Sequence, residues 1–169
     1  MAGIKTGIDG QINNNIQTFG LVGYWDAAYN KSFTPGTTKT YNLASGSLTP
    51  TGSLLNDVGF SSPNTASWVF DGTDDYIDCG SFPLLDSGSV VTISAWFKSS
   101  TYSNFGRLVN VEKHIEIFQG SSGASNTKGR FTYVLMGAHG NSFKTLGGTE
   151  ATGVGDSVDG NWHHLCFVF

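Results

Sequence analysis

VVTISAWFK, residues 90–98, alternates along its length: Val91, Ile93, Ala95 and Phe97 fall on one side of an extended chain, Thr92 and Ser94 on the other. Successive strand side chains point to opposite faces, so this period of two predicts a strand with one face against a core. RLVNVEKHIEIF (107–118) follows the same rule, with Val109, Val111, Ile115 and Ile117 on one face. RFTYVLM (130–136) groups Phe131, Tyr133 and Leu135, LVGYW (21–25) reads as a first strand, and NWHHLCFVF (161–169) closes the chain. TYNLASGSLTPTG (40–52) and NDVGFSSPNTA (56–66) read as turn-rich connections, punctuated by Pro50, Gly52, Gly59 and Pro63. SWVFDGTDDYIDCG (67–80) holds two strand pieces around Asp71-Gly72, a dipeptide suited to a turn with positive φ. No apolar stripe with a 3.6-residue period and no fixed repeat emerges. The sequence therefore predicts an all-β fold, an antiparallel two-sheet sandwich.

The chain's 169 residues are enough for one hydrophobic core and short for two ordinary domains. Charged residues make up only 13%, and the formal net charge is -4. That balance offers no electrostatic footprint for nucleic acid or for an anionic membrane surface, so neither is an expected partner. No stretch is apolar over the length of a membrane span, and MAGIKTGIDGQINNN at the start lacks the apolar centre of a secretory signal; synthesis in a cytoplasm is the expectation. Cys79 and Cys166 lack metal-site spacing and read as reduced, small, buried side chains.

Residues 1–19 differ from the rest. Ile4, Ile8, Ile12 and Ile16 recur every four residues, but Gly3, Gly7, Gly10 and Asn13-Asn14-Asn15 make a poor helix. In an extended chain all four isoleucines share one face, opposite Lys5, Asp9, Gln11, Asn13 and Gln17. A floppy tail or an edge strand is the plain reading of this segment. The functional one is an assembly arm that docks its isoleucine row on a neighbouring protein by adding a strand to its sheet.

The ordered series GLVGYW, YNLASG, WVFDGTDDYIDCG, VTISAWFK and DGNWHHLCFVF, spanning residues 20–169, resembles the laminin-G-like branch of the concanavalin A-like lectin/glucanase jelly rolls. The resemblance implies an antiparallel two-sheet jelly-roll sandwich over 20–169 with an N-terminal arm at 1–19. It implies a non-catalytic module for adhesion to glycans or proteins, in some members with calcium at the rim. In that family further strands follow the one like WHHLCFVF. The expectation is therefore that the chain continues past Phe169, or that another subunit supplies those strands, because both faces of 162–169 read as mostly apolar.

Asp71, Asp74, Asp75 and Asp78 are the candidate calcium ligands, since Ca²⁺ favours several oxygen donors. Strand alternation weighs against them, sending Asp74 and Asp78 to one face and Asp75 to the other; a solvated acidic turn is the alternative. The superfamily's glycosidases make Glu112, His114 and Glu116 worth testing. On one strand the two glutamates would stand roughly 13 Å apart, too far for either hydrolytic geometry, so no catalytic residue is assigned. His163 and His164 fall on opposite faces and cannot readily share an ion. Trp68, Trp96 and Trp162 read as core. Tyr102, Phe105 and Phe143, in turn-rich segments, are the candidate ligand-binding aromatics.

A virion surface protein of a tailed phage accounts for the arm, the laminin-G-like body, the absent leader and the polar, low-charge surface together. On this reading the arm binds capsid, tail or fibre proteins, the chain is oligomeric in the particle, and the sandwich projects as decoration or as an adhesin for host surface glycan. A cellular extracellular carbohydrate-binding module is the alternative, and a glycoside hydrolase the third class.

Overall fold

The computed structural model describes residues 20–44, 51–62, 66–80, 90–101, 106–111, 115–119, 131–135, 144–145 and 158–168. The candidate arm residues Ile4, Ile8, Ile12 and Ile16 and the aromatics Tyr102, Phe105 and Phe143 lie outside them, as do Glu112 and His114. The chain divides into two compact units, Met1–Ser81 and Phe82–Phe169. The fold is all-β, with antiparallel pairing throughout the described strands, in keeping with a lectin-like sandwich.

In the first unit β1 (Lys39–Thr40), β2 (Gly52–Leu55) and β5 (Tyr76–Asp78) form one sheet, and β3 (Gly59–Ser61) pairs with β4 (Ser67–Val69) in another. The segments read from sequence as connections thus contain β2 and β3. Gly52 and Gly59 begin those strands, and at Gly52 the neighbouring strands come too close for a larger side chain. At Gly52 an added Cβ would collide with the Thr40 methyl and stand 3.0 Å from the Ile77 methyl. Asn56 and Asp57, at φ 60° and 67°, turn the chain between β2 and β3 in a conformation that short polar residues tolerate.

The core of this unit gathers on Phe33, which is buried and meets Phe60 at 5.3 Å and Trp68 edge-on at 5.8 Å. Beside it Ser32 and Thr40 are fully buried, and their polar atoms are satisfied by each other and by backbone. Ser32 Oγ accepts from Asp26 N–H and donates to the Tyr41 carbonyl, while Thr40 Oγ1 donates to the Ser32 carbonyl. Such complete pairing is what lets two hydroxyls occupy a core.

LVGYW is not a strand. The backbone of 22–24 is held instead by the Asn42 side chain, whose Oδ1 accepts from Tyr24 N–H at 2.8 Å and whose Nδ2 donates to the Val22 carbonyl at 3.0 Å. An amide side chain has the same donor and acceptor as a peptide group, so one asparagine does locally what a neighbouring strand would do.

In the second unit β6 (Thr92–Lys98) pairs with β11 (Trp162–Val168), and β7 (Arg107–Val111), β8 (Ile115–Gln119), β9 (Phe131–Leu135) and β10 (Lys144–Thr145) form a four-stranded sheet in the order β10-β9-β8-β7. RLVNVEKHIEIF is therefore two strands of a hairpin and not one continuous strand. Val109 pairs with Ile117 and Val111 with Ile115, so the four still share a face, but as cross-strand partners. Ile115 and Ile117 are buried. The separation estimated along one continuous strand consequently does not apply, since the chain reverses between Val111 and Ile115.

Candidate functional site

Two places in the molecule concentrate chemistry. The first is the turn from Asp71 to Asp75. Gly72 takes φ +79°, and the Asp71 carboxylate accepts Thr73 N–H at 2.7 Å, closing the turn that Asp-Gly encodes. Asp71 N–H donates to Asp75 Oδ2 at 2.9 Å, and the Asp74 carbonyl accepts Asn56 Nδ2 at 2.8 Å. The Thr73 backbone hydrogen bond leads the causes that hold the Asp71 carboxyl below its usual range.

This folding brings carboxylate oxygens of Asp71, Asp74 and Asp75 within 4.8 Å of one another. Alternation placed Asp74 and Asp75 on opposite faces, but β5 begins only at Tyr76, and both residues belong to the turn. Asp78 stands apart from the three: it lies on β5 opposite Ser53 and its carboxylate accepts Gly80 N–H at 2.9 Å.

The second place is the β6–β11 ribbon. Its seven consecutive antiparallel pairs run from Trp162↔Lys98 to Val168↔Thr92. Paired residues share a face, and the two faces differ sharply. Ile93, Ala95, Phe97, His163, Leu165 and Phe167 are half-buried, whereas Trp96, Lys98, Trp162, His164, Cys166 and Val168 are exposed. On the half-buried side His163 stacks on Phe97 at 5.6 Å, and its Nε2 lies 2.9 Å from Asp159 Oδ1. Asp159 also accepts from Asn161 N–H and Nδ2. The Asn161 side chain first, then His163, lowers the Asp159 carboxyl to about 2.

On the water side Trp96 is 68% exposed and Trp162 43%. The His164 ring lies 5.0 Å from the Trp96 ring and shares a 2.7 Å hydrogen bond with Ser94 Oγ across the strands. Trp162 is diagonal to Trp96, a spacing of roughly 7–8 Å that long side chains can bridge. The result is an open aromatic surface with an imidazole fixed between strands and an ammonium, Lys98, at one end.

Residues 71–169 match the family model of the concanavalin A-like lectin/glucanases superfamily. The chain belongs to that superfamily. No curated protein and no solved structure matches it. The matched span takes in both the acidic turn and the β6–β11 ribbon, and a lectin/glucanase domain points to carbohydrate or protein binding.

The calcium that the laminin-G-like resemblance associates with this superfamily can be tested on the donor set. Asp71, Asp74 and Asp75 supply hard anionic oxygens at mutually close range, and Asp75 Oδ1 is buried without a hydrogen-bond partner among the described residues. These residues fit a hard divalent cation and would hold it, with carbonyl or water oxygens completing six to eight ligands. Bound there, it would offset two of the three carboxylate charges and fix the turn.

The tryptophans divide against their common reading as core. Trp68 is core, packed on Phe33, but Trp96 and Trp162 face water. The signal lay in the alternation itself: on β6 Trp96 has the parity of Thr92, Ser94 and Lys98, not that of Ile93 and Phe97. NWHHLCFVF likewise has one half-buried and one exposed face, because its outward residues sit opposite those polar β6 positions. Cys166 is exposed and Cys79 is half-buried, and both thiols are free.

Proposed function

We propose that the chain is a non-catalytic recognition module whose ligand, a saccharide or a protein surface, lies on the exposed face of β6–β11. The carrying observation is the exposure of Trp96 and Trp162 on one face beside the ordered His164 ring. Large aromatics cost free energy in water, and when exposed together they mark contact surfaces. A flat indole offers a stacking plane for the apolar side of a sugar ring. No carboxylate stands among the β6 and β11 residues of that face, and Glu116, on β8, is ion-paired with Arg107 at 3.6 Å, which favours binding over hydrolysis.

The setting we propose is the surface of a tailed-phage particle, with residues 1–19 as the tether and other virion proteins as its partners. The isoleucine row of that segment and the low charge of the chain support this reading.

The test has two arms. A glycan array probed with the full chain and with a Trp96→Ala/Trp162→Ala variant should show binding that the variant loses; unchanged binding by the variant refutes the assigned face. Deleting residues 2–18 should abolish incorporation into particles, and normal occupancy without them would sink the virion setting.

A further inference from the structure

Resting on the recognition reading above, we infer that the β6–β11 face takes an acidic saccharide, one that carries a carboxylate beside the ring stacked on tryptophan. The placement of charge on the ribbon points to such a ligand. The chain carries a formal net charge of -4, yet the exposed face of this ribbon contains no acid among its eight paired positions. Its ionisable nitrogen bases are Lys98 and His164, and they bracket the aromatic pair: Lys98 is directly opposite Trp162, and His164 directly opposite Trp96. The nearest acid in sequence, Asp159, is already engaged by Asn161 and by His163 on the opposite side of the ribbon. No described acid pairs with Lys98, so an incoming carboxylate meets an ammonium that is not already spent on a neighbour.

The polar groups are also arranged to orient what stacks there. Ser94 Oγ fixes the His164 ring through its 2.7 Å hydrogen bond, so the imidazole is presented at a set angle, 38° to the Trp96 plane. A sugar lying on Trp96 or Trp162 therefore has a fixed hydrogen-bonding group on one side and a flexible cation on the other. A long lysine stem can follow the carboxylate of either neighbouring ring. A neutral sugar would use the indoles and His164 and leave Lys98 idle.

The experiment compares probes that differ only in charge. The full chain is titrated with oligogalacturonate and with the same oligomer fully methyl-esterified, and in a second arm with sialyllactose and with lactose. The first pair represents acids repeated along a polymer, the second a single terminal acid. At least one acid should bind about fivefold more tightly than its neutral counterpart at low salt, as an exposed ion pair allows, and the preference should fade as salt is raised. Lys98→Gln should bring the ratio of acid to neutral affinity down to about one, and Lys98→Arg should keep it. Circular dichroism of each variant reports whether the ribbon is intact.

Equal affinity for acid and neutral forms in both arms, with binding still lost in Trp96→Ala, overturns the acidic ligand and leaves the recognition face standing. Binding of every probe that ignores Trp96 and Trp162 overturns both. A preference that survives Lys98→Gln overturns the role given to Lys98 and with it the inference.

Discussion

The Trp96 indole and the His164 imidazole meet at 5.0 Å across β6 and β11, on the side of the ribbon that faces water. A half-exposed aromatic pair of this kind contributes little to folding and is open to solutes. Acrylamide should therefore quench a large part of the fluorescence of the four tryptophans, and that part should vanish in Trp96→Phe/Trp162→Phe. The same double substitution should change the unfolding free energy measured in urea by no more than about 1 kcal/mol, since aromatic cross-strand pairs are worth about that much. A quenching profile unchanged by the substitutions would mean that the face is covered.

Gly52 tests the packing of the first unit. A Cβ there meets the Thr40 methyl from the paired strand, so Gly52→Ala should destabilise by about 1–3 kcal/mol in denaturant unfolding. Thr40→Ser removes that methyl and keeps the hydroxyl that donates to the Ser32 carbonyl. The double variant should therefore recover part of the loss, and strict additivity of the two substitutions would show that the collision is not the cause.

How much of this was legible in the sequence follows from what each signal encodes. Alternation in VVTISAWFK and NWHHLCFVF found β6 and β11 to within two residues at either end, because period two is a property of the strand alone. It could not find β2 or β3, strands of four and three residues that begin on glycine and are too short to show a period. It misplaced Asp74 for the reverse reason: a period was extended through a turn where the Asp71 carboxylate, not a strand, sets the backbone. The acidic residues Asp71, Asp74 and Asp75 were legible as a group from composition, and their convergence only from the turn geometry. For Trp96 the position on the polar face was available from parity, but the usual burial of tryptophan outweighed it.

The two thiols should react at very different rates. Cys166 is exposed on the ribbon face, while burial, aided by the Asp78 charge, pushes the Cys79 thiol up to about 11. At pH 8 almost none of Cys79 is thiolate, so an aromatic disulfide reagent should label one thiol per chain quickly and the second only slowly. Cys166→Ser should remove the fast phase and leave the slow one. Two fast phases of equal size would show that Cys79 is not shielded as described.

Asp159 supplies an acid-dependent lock at the entry to β11. Its carboxyl stands at about 2, lowered chiefly by the Asn161 side chain and then by His163, below the ordinary value of 3.8. A depressed folded-state value means that the unfolded chain takes up the proton more readily. The stabilisation is therefore fully present above the ordinary carboxylate range and is lost as pH falls from about 4 through about 2. Asp159→Asn cannot hold the same charge-assisted contacts, so its Tm should lie below that of the parent chain at pH 6. On acidification to pH 2.5 the parent should lose more of its Tm than the variant does, and the gap between them should narrow. Gly160 N–H donates to the Ser99 carbonyl at 2.9 Å immediately beyond the β6 end, so loosening Asp159 should also be felt as faster amide exchange at Gly160. A gap between parent and variant that stays constant from pH 6 to pH 2.5 would show that the carboxylate charge contributes nothing to holding β11 in place.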